Sequence, residues 1–389
     1  MTKRILIKGA SLWDGVSEQL LPKMSVVVEN KKIKSIIPTE EIKSSSFDEI
    51  HDYSNLTLLP GMIDCHTHHS MDATLENYID RMKDSISELA IRAIGLMKKD
   101  IKSGVTSCRT LGDKDFLDVS LRDAVKDGII EGPRSIVAGK GIRAVKGHGF
   151  VGYPYDGVQE IINAIKTNLA EGADLIKIYI TGTLRNESDL PSYLKKEEIK
   201  AAIDTAHMTN LRIASHCVGG IGLDWALEFG VDTLEHAYHI SDSQIEKLAK
   251  SNTLTVLTLS PILNDNVVNH YPKHLVMKYF NERKEIAERI TAFINADIPF
   301  GLGTDGLHGG LAGEAEYAVN LGASNYKALK AVTSNGAKVC GIENETGTLS
   351  SGKYADIIIV EGNPLEDITC LKKVKVVIKQ GKLININDL

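Results

Sequence analysis

Between residues 58 and 343, short apolar runs alternate with longer stretches whose apolar positions recur near the helical period. The runs 58–65, 105–111, 134–139, 174–180, 212–217, 232–236, 254–260 and 299–304 predict strands. The intervening stretches 86–103, 157–171, 196–210 and 275–297 predict amphipathic helices. Gly104, Gly128, Gly172 and Gly230 stand where helix C-termini take a left-handed residue. Eight strand–helix units in succession, with strands apolar on both faces, predict an α/β fold, a (β/α)8 TIM barrel over 58–343. The flanks differ. Residues 1–57 and 344–389 hold short β-like runs such as Arg-Ile-Leu-Ile-Lys and Asp-Ile-Ile-Ile-Val-Glu, too few on either side to bury a core alone. Together they predict one small β-sandwich domain built from both termini.

Composition narrows the class only modestly. A chain of 389 residues exceeds ordinary single-domain size, in keeping with one large domain and one small. A net charge of −6 with no basic run argues against nucleic acid or an anionic membrane as partner. No run approaches the roughly eighteen apolar residues of a membrane span, and the N-terminus lacks the apolar core of a secretory signal. The five cysteines (65, 108, 217, 340 and 370) show no CxxC spacing, which reads as reduced thiols rather than a disulfide framework or a thiolate metal site. A cytoplasmic location is the expectation.

The chemistry lies at the strand ends. His66 and His68 close the first run one residue apart, and side chains at i and i+2 of a strand share a face. Both imidazoles can therefore address one cation, although a chance pair near a turn would look the same. His216 and His236 end the fifth and sixth runs, and Asp305 follows the eighth. Lys177 sits inside Asp-Leu-Ile-Lys-Ile-Tyr-Ile, where a bare ammonium would lose its hydration at a cost of several kcal/mol. A lysine there is neutral, paired or chemically modified. In a barrel, the carboxyl ends of the strands are where active sites gather.

This ordered set, His66-x-His68, Lys177, His216, His236 and Asp305, resembles the two-metal pattern of the amidohydrolase superfamily. Within it, Gly-Pro-Arg-Ser-Ile-Val-Ala-Gly-Lys-Gly (132–141), Gly-His-Gly (147–149), Ala-Asp-Leu-Ile-Lys-Ile-Tyr-Ile-Thr-Gly (173–182) and Gly-Thr-Asp-Gly (303–306) resemble the prolidase-like branch, which includes Xaa-Pro dipeptidases and zinc-dependent arginine carboxypeptidases. The resemblance implies two divalent metal ions, with zinc expected. His66, His68 and Asp305 would hold one, His216 and His236 the other, and Lys177 would bridge them as a CO2-derived carbamate. It also implies a homo-oligomer. Metal coordination lowers the pKa of water by many units, which supplies a nucleophile at neutral pH. Asp305 would be the catalytic acid–base.

The activity so implied is amide hydrolysis that releases a C-terminal residue, Arg or Lys or else Pro, from a short peptide or similar small molecule. His148, Tyr179, Tyr193 and Arg109 are the candidates for holding the substrate carboxylate. Asp156 and Glu187 are the acids that could receive a basic side chain. Relatives often carry a histidine two residues after the one matching His216, where this chain has Val218. His69, His239 and His308 lie near the expected mouth, His69 as a support rather than a ligand. Three alternatives stay open: cyclic amides, lactones or N-acyl amino acids as substrates; a mononuclear imidazolonepropionase- or deaminase-like enzyme; and a non-enzymatic barrel. Against the deaminase, no acid closely follows His216 or His236. Against the last, no donor is missing.

Overall fold

The computed structural model describes residues 3–42, 46–149, 151–185 and 189–386. The expected barrel strands appear as Met62–Thr67, Val105–Thr110, Arg134–Val137, Leu175–Tyr179, Arg212–Cys217, Thr233–His236, Leu254–Leu257 and Phe300–Leu302. Nearly every residue in them is buried, because helices cover the outside and packed side chains fill the inside. Hydrogen bonding divides the eight ring strands into a parallel group of three and a parallel group of five, the latter within a seven-stranded sheet. The last strand returns to the first through Asp305 N–H, which donates to the His66 carbonyl at 2.8 Å. This approach requires glycine at 303: a Cβ there would lie 2.5 Å from the His66 backbone nitrogen. The third expected strand ends early, at Val137, and the chain then forms two extra strands, Gly141–Ala144 and Gly152–Tyr155, which extend the seven-stranded segment over the mouth.

The helices follow the same logic. Ile86–Lys102 begins at a capping box, with Ser85 accepting from Glu88 N–H and Glu88 accepting from Ser85 N–H. It buries Leu89, Ala93, Leu96, Met97 and Ile101 along one stripe. The helix expected over 275–297 spans Lys273–Asn295.

Both termini join in one sheet of eight strands, in which Glu49–Pro60 pairs with Arg4–Leu12 on one side and Ile357–Val360 on the other. Its core includes Ile7, Val26, Ile33, Leu58, Ile357 and Ile359. One apolar run, Leu-Thr-Leu-Leu-Pro-Gly-Met-Ile-Asp-Cys, thus serves two sheets. The strand that ends at Pro60 pairs in the terminal sheet, and the first barrel strand starts at Met62. The strands form a continuous hydrogen-bonded sheet rather than two separately bonded layers. Among the described residues no helix is long and apolar enough to cross a membrane.

Candidate metal centre and substrate cavity

The six candidate donors come from five barrel strands and converge at their carboxyl ends. His66 donates from Nδ1 to Glu235 Oε2 at 2.9 Å, and His68 donates from Nδ1 to the Gly112 carbonyl at 2.7 Å. Carboxylate and carbonyl oxygens only accept, so in each neutral ring the proton sits on Nδ1 and Nε2 keeps its lone pair. Both Nε2 atoms stand 3.5 Å from Asp305 Oδ1, itself an acceptor. Ligand atoms of His66, His236 and Asp305 all lie within 4.8 Å of one another. The His216 and His236 rings are 4.4 Å apart, and those of His66 and His236 are 4.7 Å apart. Lone pairs aimed at one another repel unless a cation lies between them, and this donor set suits a divalent metal.

Electrostatics agree. Burial and the surrounding positive charge hold His66 and His216 well below the usual imidazole range, and burial brings His236 down to about 3. The rings therefore stay neutral, as ligands must. Burial pulls Lys177 down to about 8, with Glu235 and Asp305 offsetting only part of that effect. The Lys177 Nζ and His216 Nε2 atoms are buried without a hydrogen-bond partner among the described residues. Native interiors rarely leave such atoms orphaned without a ligand or a reaction to serve. His236, Ala237 and Asp305 adopt positive φ (77°, 54° and 49°), a left-handed strain that clusters where a site must be held in shape.

A matching profile of the amidohydrolase family spans residues 57–384. The chain belongs to the amidohydrolase family. A crystal structure of a Xaa-Pro dipeptidase with bound methionine superposes with a TM-score of 0.88 at 30% identity, covering 98% of this chain and all of that one. The ochratoxinase of Aspergillus niger is 28% identical over 365 aligned residues, 84% of this chain and 75% of that protein; its structure gives a TM-score of 0.85. An imidazolonepropionase from Picrophilus torridus is 22% identical over 88% of this chain and 87% of its own length. The dipeptidase and ochratoxinase likenesses agree with a prolidase-like branch of the family.

In this amidohydrolase a cavity of about 320 Å³ opens over the donor cluster. His148, Tyr179 and Tyr193 are among the residues that line it. The His148 ring lies 4.4 Å from that of His216, accepts or donates one bond with Thr183 Oγ1 at 3.1 Å, and is lowered to about 4 by burial. Arg109 is a correction. It does not line the cavity; it lies within the barrel and donates to Glu235 Oε1 (2.7 Å), Thr233 Oγ1 (2.9 Å) and the Cys65 carbonyl (2.7 Å). Its attraction to buried Glu235 draws it away from the mouth.

Asp156 is likewise no part of the lining, and its backbone N–H bonds Glu160 on the surface; Glu187 lies outside the described residues. His69 bonds Ser135 Oγ at 3.0 Å, and His308 spans Asp100 and the His68 carbonyl, so both stand behind the donors. His239 lies 3.1 Å from Glu282.

Several further residues, which no motif marks in the sequence, matter here. Glu235 supports His66 and anchors Arg109, and Thr258 Oγ1 bonds His236 Nδ1 at 2.8 Å. Such bonds fix ring orientation and ligand basicity. A buried acid directly before His236, inside an apolar strand, was the available signal. Tyr78, Tyr238, Tyr271 and Tyr279 form an aromatic wall, with Tyr271 and Tyr279 stacked at 4.2 Å. Leu275, Lys278 and Tyr279 lie at helical spacing on the face of Lys273–Asn295 turned to the cavity.

Proposed function

We propose that the protein is a metal-dependent amide hydrolase that releases the C-terminal residue from dipeptides or N-acyl amino acids, with an apolar residue or proline preferred over arginine or lysine. The observation that carries this reading is the aromatic cavity set directly over a convergent donor cluster. Its lining contains a single carboxylate, Asp305, among the described residues, and Asp305 belongs to the donor set. A guanidinium or ammonium on the substrate would therefore lose hydration without gaining a partner, whereas tyrosine faces suit an apolar side chain.

His66, His68 and Asp305 would hold one metal and His216 and His236 a second, with Lys177 between them as a carbamate. Bound there, a divalent metal supplies a Lewis acid for the carbonyl and lowers the pKa of water. The Asp305 carboxylate takes the proton from the attacking water at its free oxygen and returns it to the leaving nitrogen. Glu235 holds the proton of His66 on Nδ1, which keeps Nε2 available as a donor. The tyrosine wall excludes bulk water and orients the acyl or side-chain part of the substrate.

The test pairs elemental analysis of protein purified without chelator with hydrolysis of Xaa-Pro, Xaa-Phe, Xaa-Arg and N-acyl-phenylalanine substrates. About two metals per chain and turnover that collapses in Asp305→Asn support the reading. About one metal with no turnover on any of these amides overturns it and turns attention to cyclic amides or deamination.

A further inference from the structure

Among the described residues, Lys278 is the one lysine or arginine that lines the cavity, and it does so from the helix Lys273–Asn295. It is half-buried, and its Nζ donates to the main-chain carbonyl of Arg185, on the loop that follows the fourth barrel strand. Its cationic neighbour Arg185 is neutralised by Glu285 and its backbone N–H is taken by Glu282 Oε2 at 3.1 Å, while Glu282 also faces His239. Among the described residues, no carboxylate forms an ion pair with Lys278, although Glu282, one helical turn on, attracts it from farther off. An ammonium with one carbonyl partner retains donor capacity for a second acceptor. Here that capacity adjoins Leu275, Tyr279 and Leu184, all lining the same space.

We propose that Lys278 is the specificity-determining residue that receives a substrate carboxylate at the outer end of the cavity. The inference rests on the amide-hydrolase reading and deepens it. The apolar part of the released residue lies on the tyrosine wall, and its anionic end meets Lys278. The same charge repels a C-terminal arginine or lysine side chain placed at the mouth. The carboxylate is either the α-carboxylate of the released residue or a carboxylate on its side chain. A purely structural Lys278 would instead latch the helix to the Arg185 loop and would act on all substrates alike.

The experiment compares wild type, Lys278→Met, Lys278→Arg and Lys278→Glu, all metal-loaded, on three N-acetylated substrates. N-acetyl-phenylalanine carries an α-carboxylate, its carboxamide carries none, and N-acetyl-glutamate α-amide carries only a side-chain carboxylate. The expected result is a KM for the carboxylate-bearing substrate raised by on the order of tenfold to a hundredfold in Lys278→Met, the scale of a charged hydrogen bond, with kcat and the carboxamide nearly unchanged. Lys278→Arg restores part of the loss, and Lys278→Glu reverses the order of acid and carboxamide. Whichever acid responds identifies the source of the carboxylate. Equal losses on acids and carboxamide, or no change on any of them, overturn the assignment while leaving the hydrolase reading intact. Absence of wild-type turnover on every amide overturns both.

Discussion

Two cations lie buried in the same barrel interior and could hardly be treated more differently. Arg109 is bonded through three nitrogens to Glu235, Thr233 and the Cys65 carbonyl; burial works against its charge, and Glu235 together with the surrounding groups more than offsets it. Lys177 has no hydrogen-bond partner among the described residues, and burial draws its amine down to about 8. The contrast separates structure from chemistry. A buried charge that serves the fold is surrounded by fixed partners, because leaving it unpaired costs several kcal/mol. A buried amine without partners is maintained where a ligand or a covalent change completes it. The Tyr179 ring face lies 5.1 Å from Lys177 Nζ, and Glu235 and Asp305 act on it only from a distance.

The largest effect should follow from removing the amine. Lys177→Met replaces it with an apolar chain of similar length, so no bond in the resting fold is lost. Activity should fall by roughly 10²–10⁴-fold or more, the scale of losing a group that acts directly in the reaction, while the urea midpoint holds or rises. Labelled bicarbonate followed by carbon NMR would report a carbamate in wild type and none in the variant. Full activity in Lys177→Met would make Lys177 a second structural cation and end the comparison.

Arg109→Met should do the reverse. It strands Glu235 in the interior, and breaking a buried pair from one side costs about 3–5 kcal/mol. Urea unfolding should show that loss directly, and Arg109→Lys should recover little of it because an ammonium cannot reproduce the three-way fork. A stable Arg109→Met variant would mean that Glu235 is held by Thr233 and His66 alone. Glu235→Gln probes the link between the two regions: the amide weakens the support of His66, and metal affinity should drop by roughly tenfold to a hundredfold in competition with a chelator.

The same contrast explains what the chain disclosed. The donors are legible because each interrupts or ends an apolar run, where a polar group has to be accounted for. The barrel is legible because its strands are apolar on both faces. Arg109 misled for the same reason it stands out: it is a cation at a strand end, but its direction is set by Glu235, which lies 126 positions away. The change of sheet between Pro60 and Met62 was hidden inside one apolar run that two sheets share. The cavity wall was harder still, since Tyr271, Lys278 and Tyr279 gather around the donors only after a 23-residue helix folds across the mouth.

A third buried cation offers the finest test. The His308 ring meets Asp100 Oδ2 from Nδ1 at 2.7 Å and the His68 carbonyl from Nε2 at 3.1 Å. Both partners accept, so both nitrogens carry protons and the ring is charged. Burial opposes that charge, and Asp100 with the His68 carbonyl overcomes it, raising the group to about 9. Its folded pKa lies above the unfolded value near 6.5. The stabilisation is therefore complete below about pH 6.5 and is lost as pH rises toward 9, at no more than about 1.4 kcal/mol per pH unit. Urea unfolding of wild type and His308→Gln at intervals across that window should show the difference between them shrinking as pH rises. Parallel pH profiles would mean that His308 is neutral when folded; it would then resemble Lys177 rather than Arg109, a buried group whose charge the fold does not support.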